Sequence, residues 1–135
     1  MNKKELNIFI GISRARKKVS EKSNRLFMEY NLTESQFAVL EVLYHKGALS
    51  IGEIQKKILS SSGTIPVVIR NLEKRNYITR NQDEKDKRKY IIDITLDGKK
   101  LIDEIFPKNE KIIKEIFNVL DDNEKNEFIK LLKKI

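Results

Sequence analysis

The chain has 135 residues, which is enough for one domain with a buried core. It contains no cysteine, which excludes disulfides, thiolate metal sites and cysteine nucleophiles. Lysine and arginine number 28 against 20 aspartates and glutamates, so the formal net charge is +8. Such a balance is typical of proteins that bind nucleic acid or an anionic membrane, although a lysine-rich and isoleucine-rich composition also produces it.

The chain has no apolar run long enough to span a membrane and no signal-peptide pattern at its start. We therefore expect a cytoplasmic protein. His45 is the only histidine, and no glycine-rich phosphate loop is present. These features predict no metal, no cofactor and no enzymatic activity, and His45 is interpreted as a structural residue near a helix end.

The first segment, 3–29, is predicted to be one long helix. Apolar or small side chains recur along it every three or four residues, which places them on one stripe: Ile8, Ile12, Ala15, Val19, Ser23, Leu26 and Tyr30. Basic side chains cover much of the rest. A small core cannot cover a stripe of this length, so we expect a second chain to cover it.

Three capping signatures predict the starts of further helices. Thr33 with Gln36 and Ser50 with Glu53 have the spacing of capping boxes, and Asp121 begins a looser version. They predict helices over 34–46, 51–58 and 122–134, with Gly47 ending the first of these.

A second group of elements follows the serine-rich turn after residue 58. A helix is predicted over 62–75, with Asn76 in the left-handed position beyond its end. Short β-prone segments at 77–80 and 90–94 flank a charged loop, 81–89, which predicts a hairpin. Thr95 caps the next helix, in which Pro107 is expected to produce a kink. The fold class is therefore mainly α with a small β-hairpin wing.

The layout of 33–95 is that of a winged helix-turn-helix, in which the second helix of the pair enters the major groove of DNA. On helix 62–75, the side chains of Ile65, Val68, Ile69 and Leu72 share the core-facing side. The candidate DNA-binding residues lie on the helix start, the outer face and its flanks: Ser61, Ser62, Gly63, Thr64, Pro66, Val67, Arg70, Asn71 and Lys74.

These side chains suit different parts of a DNA duplex. Arg70 can pair with a guanine edge and Asn71 with an adenine edge, whereas Val67 and Pro66 offer only apolar contact. The hydroxyls of Ser61, Ser62 and Thr64 can bind phosphate at the helix start.

The loop of the hairpin supplies a second group of candidates, namely Lys85, Asp86, Lys87 and Arg88. A protruding arginine can enter a narrow, A·T-rich minor groove. Asp86 and Arg88 are two residues apart, so the carboxylate is expected to hold the guanidinium in position.

Several motifs resemble the multiple-antibiotic-resistance regulator (MarR) family. They are the run Leu32–Leu40, the segment Leu59–Ile78 with Leu72-Glu73-Lys74-Arg75, the loop Asp83–Arg88, and Ile94-Thr95-Leu96-Asp97-Gly98. The resemblance spans the whole chain, and Asp86 and Arg88 match the family's paired wing residues. It implies a homodimeric DNA-binding regulator of transcription, usually a repressor, that is often released by a small-molecule effector. Because a two-fold dimer presents two recognition helices to one face of the duplex, we expect it to bind a pseudo-palindromic double-stranded operator.

The resemblance also implies how the chain is divided. Residues 1–32 and 96–135 are expected to form helical dimerisation arms around a DNA-binding lobe, 33–95. The candidate dimer interface is Ile8, Ile12, Val19, Ile113, Phe117, Phe128 and Leu132. Family regulators often bind effectors between arms and lobe, a region that here draws on Phe9, Ser13, Phe37, Tyr44 and Phe106. Because such an apolar aromatic set is more often plain core, no ligand site is assigned.

The main alternative is a winged-helix module that binds a protein instead of DNA. Pro66 and Val67 on the outer helix would suit an apolar partner surface. Membrane binding through the basic first helix is a weaker alternative, because that helix's apolar stripe is better used in a dimer. Binding to duplex DNA with a steep salt dependence distinguishes the first two.

Overall fold

The computed structural model describes residues 3–58 and 65–135. The elements within those residues run in this order: α1 Lys4–Glu29, α2 Glu34–Lys46, β1 Leu49–Ser50, α3 Ile51–Lys57, α4 Ile65–Lys74, β2 Ile78–Gln82, β3 Tyr90–Ile94, α5 Leu96–Phe117 and α6 Asp122–Leu132. The predicted fold class, mainly helical with a small β wing, is confirmed. The candidate residues Ser61, Ser62, Gly63 and Thr64 lie outside the described residues.

One hydrophobic core joins the elements of the lobe to α1 and α5. Leu40 from α2, Ile54 from α3, Ile69 from α4 and Ile92 from β3 are fully buried in it. The end of α1 adds Leu26 and Phe27, and α5 adds Ile102 and Ile105. The lobe and the inner ends of both arm helices are therefore one packed unit.

The three capping signatures are confirmed as capping boxes. The backbone N–H of Gln36 donates to Thr33 Oγ1 at 3.1 Å, and the N–H of Thr33 donates to Gln36 Oε1 at 2.9 Å. Reciprocal pairs of the same kind begin α3 and α6. Each box satisfies backbone donors that a helix start leaves unpaired, which is why these starts could be predicted from residues three apart.

The sheet departs from the prediction because it has three strands instead of two. The two-residue strand β1 pairs with β3, placing Leu49 opposite Ile92, and gives the strand order β1-β3-β2. Two residues are too few to show an alternating pattern, so no periodicity indicated β1. Strand β2 begins at Ile78 and reaches Gln82, two residues beyond the prediction, because Gln82 pairs with Tyr90.

The helix bounds need smaller corrections. α5 continues as one helix through the exposed Pro107, whose nitrogen cannot donate the usual backbone hydrogen bond, and the kink expected there stays a prediction. α6 ends at Leu132, two residues earlier than predicted, and α4 is described from Ile65 to Lys74. Asn76 has φ +61°, which confirms the left-handed position predicted for it.

Within the described chain, no helix is both long enough and apolar enough to cross a bilayer. The outer part of α1 and all of α6 instead carry large apolar side chains on their surfaces. Ile8 is 58% exposed and Phe128 44% exposed, and no residue of α6 is buried. The arms of a single chain thus leave an apolar surface uncovered.

Gly98 allows a close approach that generates a stability prediction. A Cβ at this position would lie 2.4 Å from the Tyr77 carbonyl oxygen and 2.6 Å from Ile94 Cγ1. Gly98→Ala should therefore lower the free energy of unfolding by about 1–3 kcal/mol through overpacking. Urea denaturation measures the change.

Gly11→Ala is the matched control, because Gly11 also lies within a helix and a Cβ added there would meet nothing within 4 Å. This change should raise the free energy of unfolding by about 0.5–1 kcal/mol. Equal effects of the two substitutions would contradict the close approach at Gly98.

Candidate nucleic-acid interface

Helix α4 presents one buried and one exposed face. Ile65, Ile69 and Leu72 are fully buried, whereas Val67 is 46% exposed and Arg70 is exposed beside it. The candidate residues Pro66, Asn71 and Lys74 are exposed as well. Because the buried face fixes the rotation of the helix about its axis, the five described candidates all remain available to a partner.

The wing holds a paired aspartate and arginine at its tip. Asp86 Oδ1 accepts hydrogen bonds from the Arg88 backbone N–H at 3.0 Å and from Arg88 Nε at 3.2 Å. The bonds from Arg88 lower the pKa of Asp86, so its carboxylate stays ionised at more acidic pH than that of an ordinary aspartate. The Arg88 side chain remains 91% exposed. The expected pairing of these two side chains is therefore present, with the guanidinium held at one end and open at the other.

The remaining wing candidates are lysines whose backbone helps to shape the loop. The Lys85 N–H donates to Asp83 Oδ1 at 3.3 Å, and the Lys87 carbonyl accepts from Gln82 Nε2 at 3.3 Å. Both side chains are exposed. They add positive charge next to the pair, Lys85 before Asp86 and Lys87 between Asp86 and Arg88.

Sequence reasoning missed Arg80, which links the wing to α4. Its Nε lies 3.8 Å from Glu73 Oε2, and its guanidinium carbon lies 5.4 Å from the centre of the Tyr90 ring. That Nε is buried and makes no hydrogen bond to the described residues. The hairpin register, with Arg80 opposite Ile92, puts Arg80 and Tyr90 on a cross-strand diagonal. A correct prediction of the strand register would have identified this contact.

A cavity of about 590 Å³ opens between α1, α2 and α5. Ser23, Phe27, Phe37 and Asn109 form part of its wall, with Ser23 Oγ donating to Asn109 Oδ1 at 2.7 Å. Charged or titratable side chains also line it: Arg16, Glu34, Glu41, His45, Lys46 and Lys57. Partial burial raises the pKa of Glu41, and nearby His45 partly offsets that effect.

The five residues suggested for an effector region do not meet in this cavity. Phe37 lines it, whereas Phe9, Ser13, Tyr44 and Phe106 do not. The Tyr44 hydroxyl donates instead to Asp103 of α5, which raises the pKa of Tyr44. His45 is exposed and makes edge contacts with the rings of Tyr44 and Phe106. Residues of α2 thus face either the cavity or α5. The presence of aromatic residues in the sequence does not indicate which of the two each one faces.

A second, apolar groove of about 480 Å³ lies between α1 and the α5–α6 end. Five of the candidate dimer residues line it: Ile12, Val19, Phe117, Phe128 and Leu132. The other two lie elsewhere, because Ile113 lines the larger cavity and Ile8 is on the exposed outer part of α1. The structure therefore brings most of the predicted interface together on one face.

Metal binding has no candidate centre in residues 3–58 and 65–135, where no group of three histidine or acidic side chains has a suitable arrangement.

The chain is similar over its full length to known regulators of transcription. The model of the MarR family matches residues 32–90. The chain is 35% identical to the Bacillus subtilis HTH-type transcriptional regulator MhqR over 135 residues, covering 100% of this chain and 93% of that protein. It is 36% identical to the B. subtilis HTH-type transcriptional regulator YkoM over 129 residues, covering 96% and 84%.

Solved structures share the same architecture. Bordetella bronchiseptica BpsR superposes with a TM-score of 0.86 at 27% identity, covering 99% of this chain and 94% of that one. An Escherichia coli MarR variant complexed with operator DNA has a TM-score of 0.77 at 23% identity, covering 95% of each chain, which shows the fold. From its fold and its relatives, the chain belongs to the MarR family of DNA-binding transcriptional regulators.

Proposed function

We propose that the protein acts as a homodimer on a pseudo-palindromic operator, with one α4 helix in each of two major grooves. The observation that carries the proposal is the exposed face of α4, with Arg70 and Val67, above a fully buried opposite face. The Asp86–Arg88 pair is suited to a flanking minor groove, and the net charge of +8 favours DNA. By its family, the protein is expected to act as a repressor.

The assignment of residues follows the same division. Recognition uses Pro66, Val67, Arg70, Asn71 and Lys74, and we keep Ser61, Ser62, Gly63 and Thr64 from the sequence as its phosphate-binding start. The wing contributes Lys85, Asp86, Lys87 and Arg88. Residues 33–95 form the DNA-binding lobe, and 1–32 with 96–135 form the arms.

The second copy of the chain is proposed to cover the apolar groove between α1 and α6. Its walls are almost entirely apolar, and Phe128 and Leu132 remain 44% and 45% exposed in one chain. Burying one such side chain stabilises the protein by about 1.5–3 kcal/mol. A monomer, which leaves the groove in water, forgoes that free energy.

The cavity between α1, α2 and α5 is proposed as the effector site. It combines the rings of Phe27 and Phe37 with a polar wall at Ser23 and Asn109 and with the cation Lys46, while Arg16 is paired with Glu34 at 2.6 Å. These groups suit a small aromatic acid. BpsR is described as regulated by 6-hydroxynicotinic acid, and NadR, which is 22% identical, was solved with 4-hydroxyphenylacetate. Binding there is expected to release the operator.

One observation favours a second function, that of a protein-interaction module. Val67 is 46% exposed at the centre of the outer face of α4, where it offers no hydrogen bond to a base. Tight binding to duplex DNA with a steep, linear dependence of the logarithm of affinity on that of salt concentration would favour the operator function.

The groove gives a prediction about assembly. Sedimentation should show a dimer at micromolar concentration, and Phe128→Glu should give a folded monomer because a carboxylate cannot be buried unpaired. Leu96→Glu is the control, because Leu96 is also exposed (68%) but lies at the opposite end of α5 from the groove. A folded wild-type monomer would contradict the proposal.

Substitution of Arg70 and of Arg88 should weaken DNA binding in different ways. Arg70→Ala should cost about 1–3 kcal/mol of binding free energy and relax preference at one base position in each half-site. Arg88→Ala should weaken binding to A·T-rich flanks most and lower the salt slope by about one for each phosphate contact removed. Asp86→Ala should resemble Arg88→Ala in weaker form, because its carboxylate only holds the guanidinium.

A preferred operator is first selected from a random pool of duplexes. The binding of each variant is then measured on that operator and on duplexes mutated in a half-site or in a flank. Half-site centres should lie about 10–10.5 bp apart. Lys111→Ala, on the exposed surface of α5, controls for the loss of one positive charge. Unchanged flank preference in folded Arg88→Ala would show that the wing does not read the minor groove.

The cavity gives a pH prediction. The pKa of Glu41 is raised, so lowering the pH from 7 towards 5 increases the fraction of this group that is neutral. The affinity for 4-hydroxybenzoate should therefore rise, because repulsion of its carboxylate falls. Glu41→Gln should bind the probe more tightly at pH 7 and show a flatter pH profile. Calorimetry tests this, with Glu115→Gln outside the cavity as control; equal profiles for wild type and Glu41→Gln would contradict it.

A further inference from the structure

The C-terminal end of α4 is attached to the end of α1 by one side chain. Arg75, the residue that follows α4, donates from Nη1 to the Asn31 carbonyl oxygen at 2.6 Å. Its Nη2 donates to the Tyr30 carbonyl oxygen at 3.1 Å. The contact joins residues more than 40 positions apart and connects the candidate recognition helix directly to an arm helix.

The acceptors belong to a well-defined turn. Tyr30 and Leu32 both donate their backbone N–H to the Phe27 carbonyl at 3.0 Å, and Asn31 has φ +55°. Carbonyls at the end of a helix carry partial negative charge, which favours a cation there. A planar guanidinium presents two nitrogens in a fixed fork to two neighbouring carbonyls, whereas a lysine ammonium is a single nitrogen on a flexible stem and lacks that geometry.

Arg75 is held on its other side as well. Its guanidinium carbon lies 5.1 Å from the centre of the Tyr77 ring, and the residue is half-buried. With two nitrogens on carbonyls and one face on a ring, this guanidinium is engaged within the protein. It therefore differs from Arg70, which is exposed on the outer face of α4.

Asn76 and Tyr77, which follow Arg75, are hydrogen-bonded to the start of α5, the other arm helix. Thr95, the cap of α5, donates from Oγ1 to the Asn76 carbonyl at 2.8 Å and from its N–H to the Tyr77 carbonyl at 3.0 Å. Gly98 allows α5 to approach that Tyr77 carbonyl closely. Residues 75–77 thus lie between the end of α1 and the start of α5.

We propose that Arg75 is a positioning residue that fixes the direction of α4 relative to the arms and thereby sets the half-site spacing that the dimer accepts. The inference rests on the proposed function, a homodimer on two half-sites. In a two-fold dimer the arms set the separation of the two α4 helices. A change of angle at each junction therefore acts twice on that separation.

The test measures the binding of full-length protein to operators with central spacers changed by −1, 0, +1 and +2 bp. One base pair rotates a half-site by about 35° around the duplex, so the wild type should lose about tenfold in affinity at a wrong spacing. Arg75→Met and Arg75→Lys should each reduce this discrimination by about threefold or more. Arg75→Lys should do so with an unchanged salt slope, because it keeps the charge.

Lys74→Met is the matched control, because it removes a neighbouring exposed cation that makes no such contact with the α1 turn. It should weaken binding at every spacing equally and leave the discrimination intact. Thermal melting verifies that each variant is folded, and Arg75→Lys alone decides the matter if Arg75→Met does not fold. Wild-type discrimination retained by folded Arg75→Lys would overturn the inference. A wild type without a preferred spacing would instead contradict the proposed function.

Discussion

The burial of one face of α4 is the constraint on which the candidate interface depends. Ile65, Ile69 and Leu72 are fully buried against the lobe, and exposing any one of them would cost about 1.5–3 kcal/mol. The helix therefore cannot rotate about its axis without losing several such contacts. Because the rotation is fixed, so is the choice of side chains on the outer face, and the same core carries β3 and hence the wing.

Features that depend on residues close in sequence could be predicted. The capping box of Thr33 and Gln36, the inward face of α4 and the left-handed Asn76 follow from spacings of a few residues. The Asp86–Arg88 pair belongs to the same class, since its partners are two positions apart. Local hydrogen bonds and helical periodicity therefore account for most of the fold and for the described outer face of the interface.

Features that depend on distant partners could not be predicted. The strand β1 exists because Leu49 meets Ile92, and Arg75 finds its acceptors on a turn far away along the chain. The wall of the cavity likewise combines α1, α2 and α5, so Phe37 lines it while Tyr44 turns to α5. In these cases the residue types allow many partners, and only the packed core selects one.

The turn at the end of α1 is shared by the cavity and the candidate recognition helix. Phe27 lines the cavity, and its carbonyl anchors the turn that offers two oxygens to Arg75. An occupant that displaces Phe27 acts on the same turn that holds α4. Thermodynamic linkage then makes the effect reciprocal. If the occupant lowers the affinity for the operator by a given factor, the bound operator lowers the affinity for the occupant by the same factor.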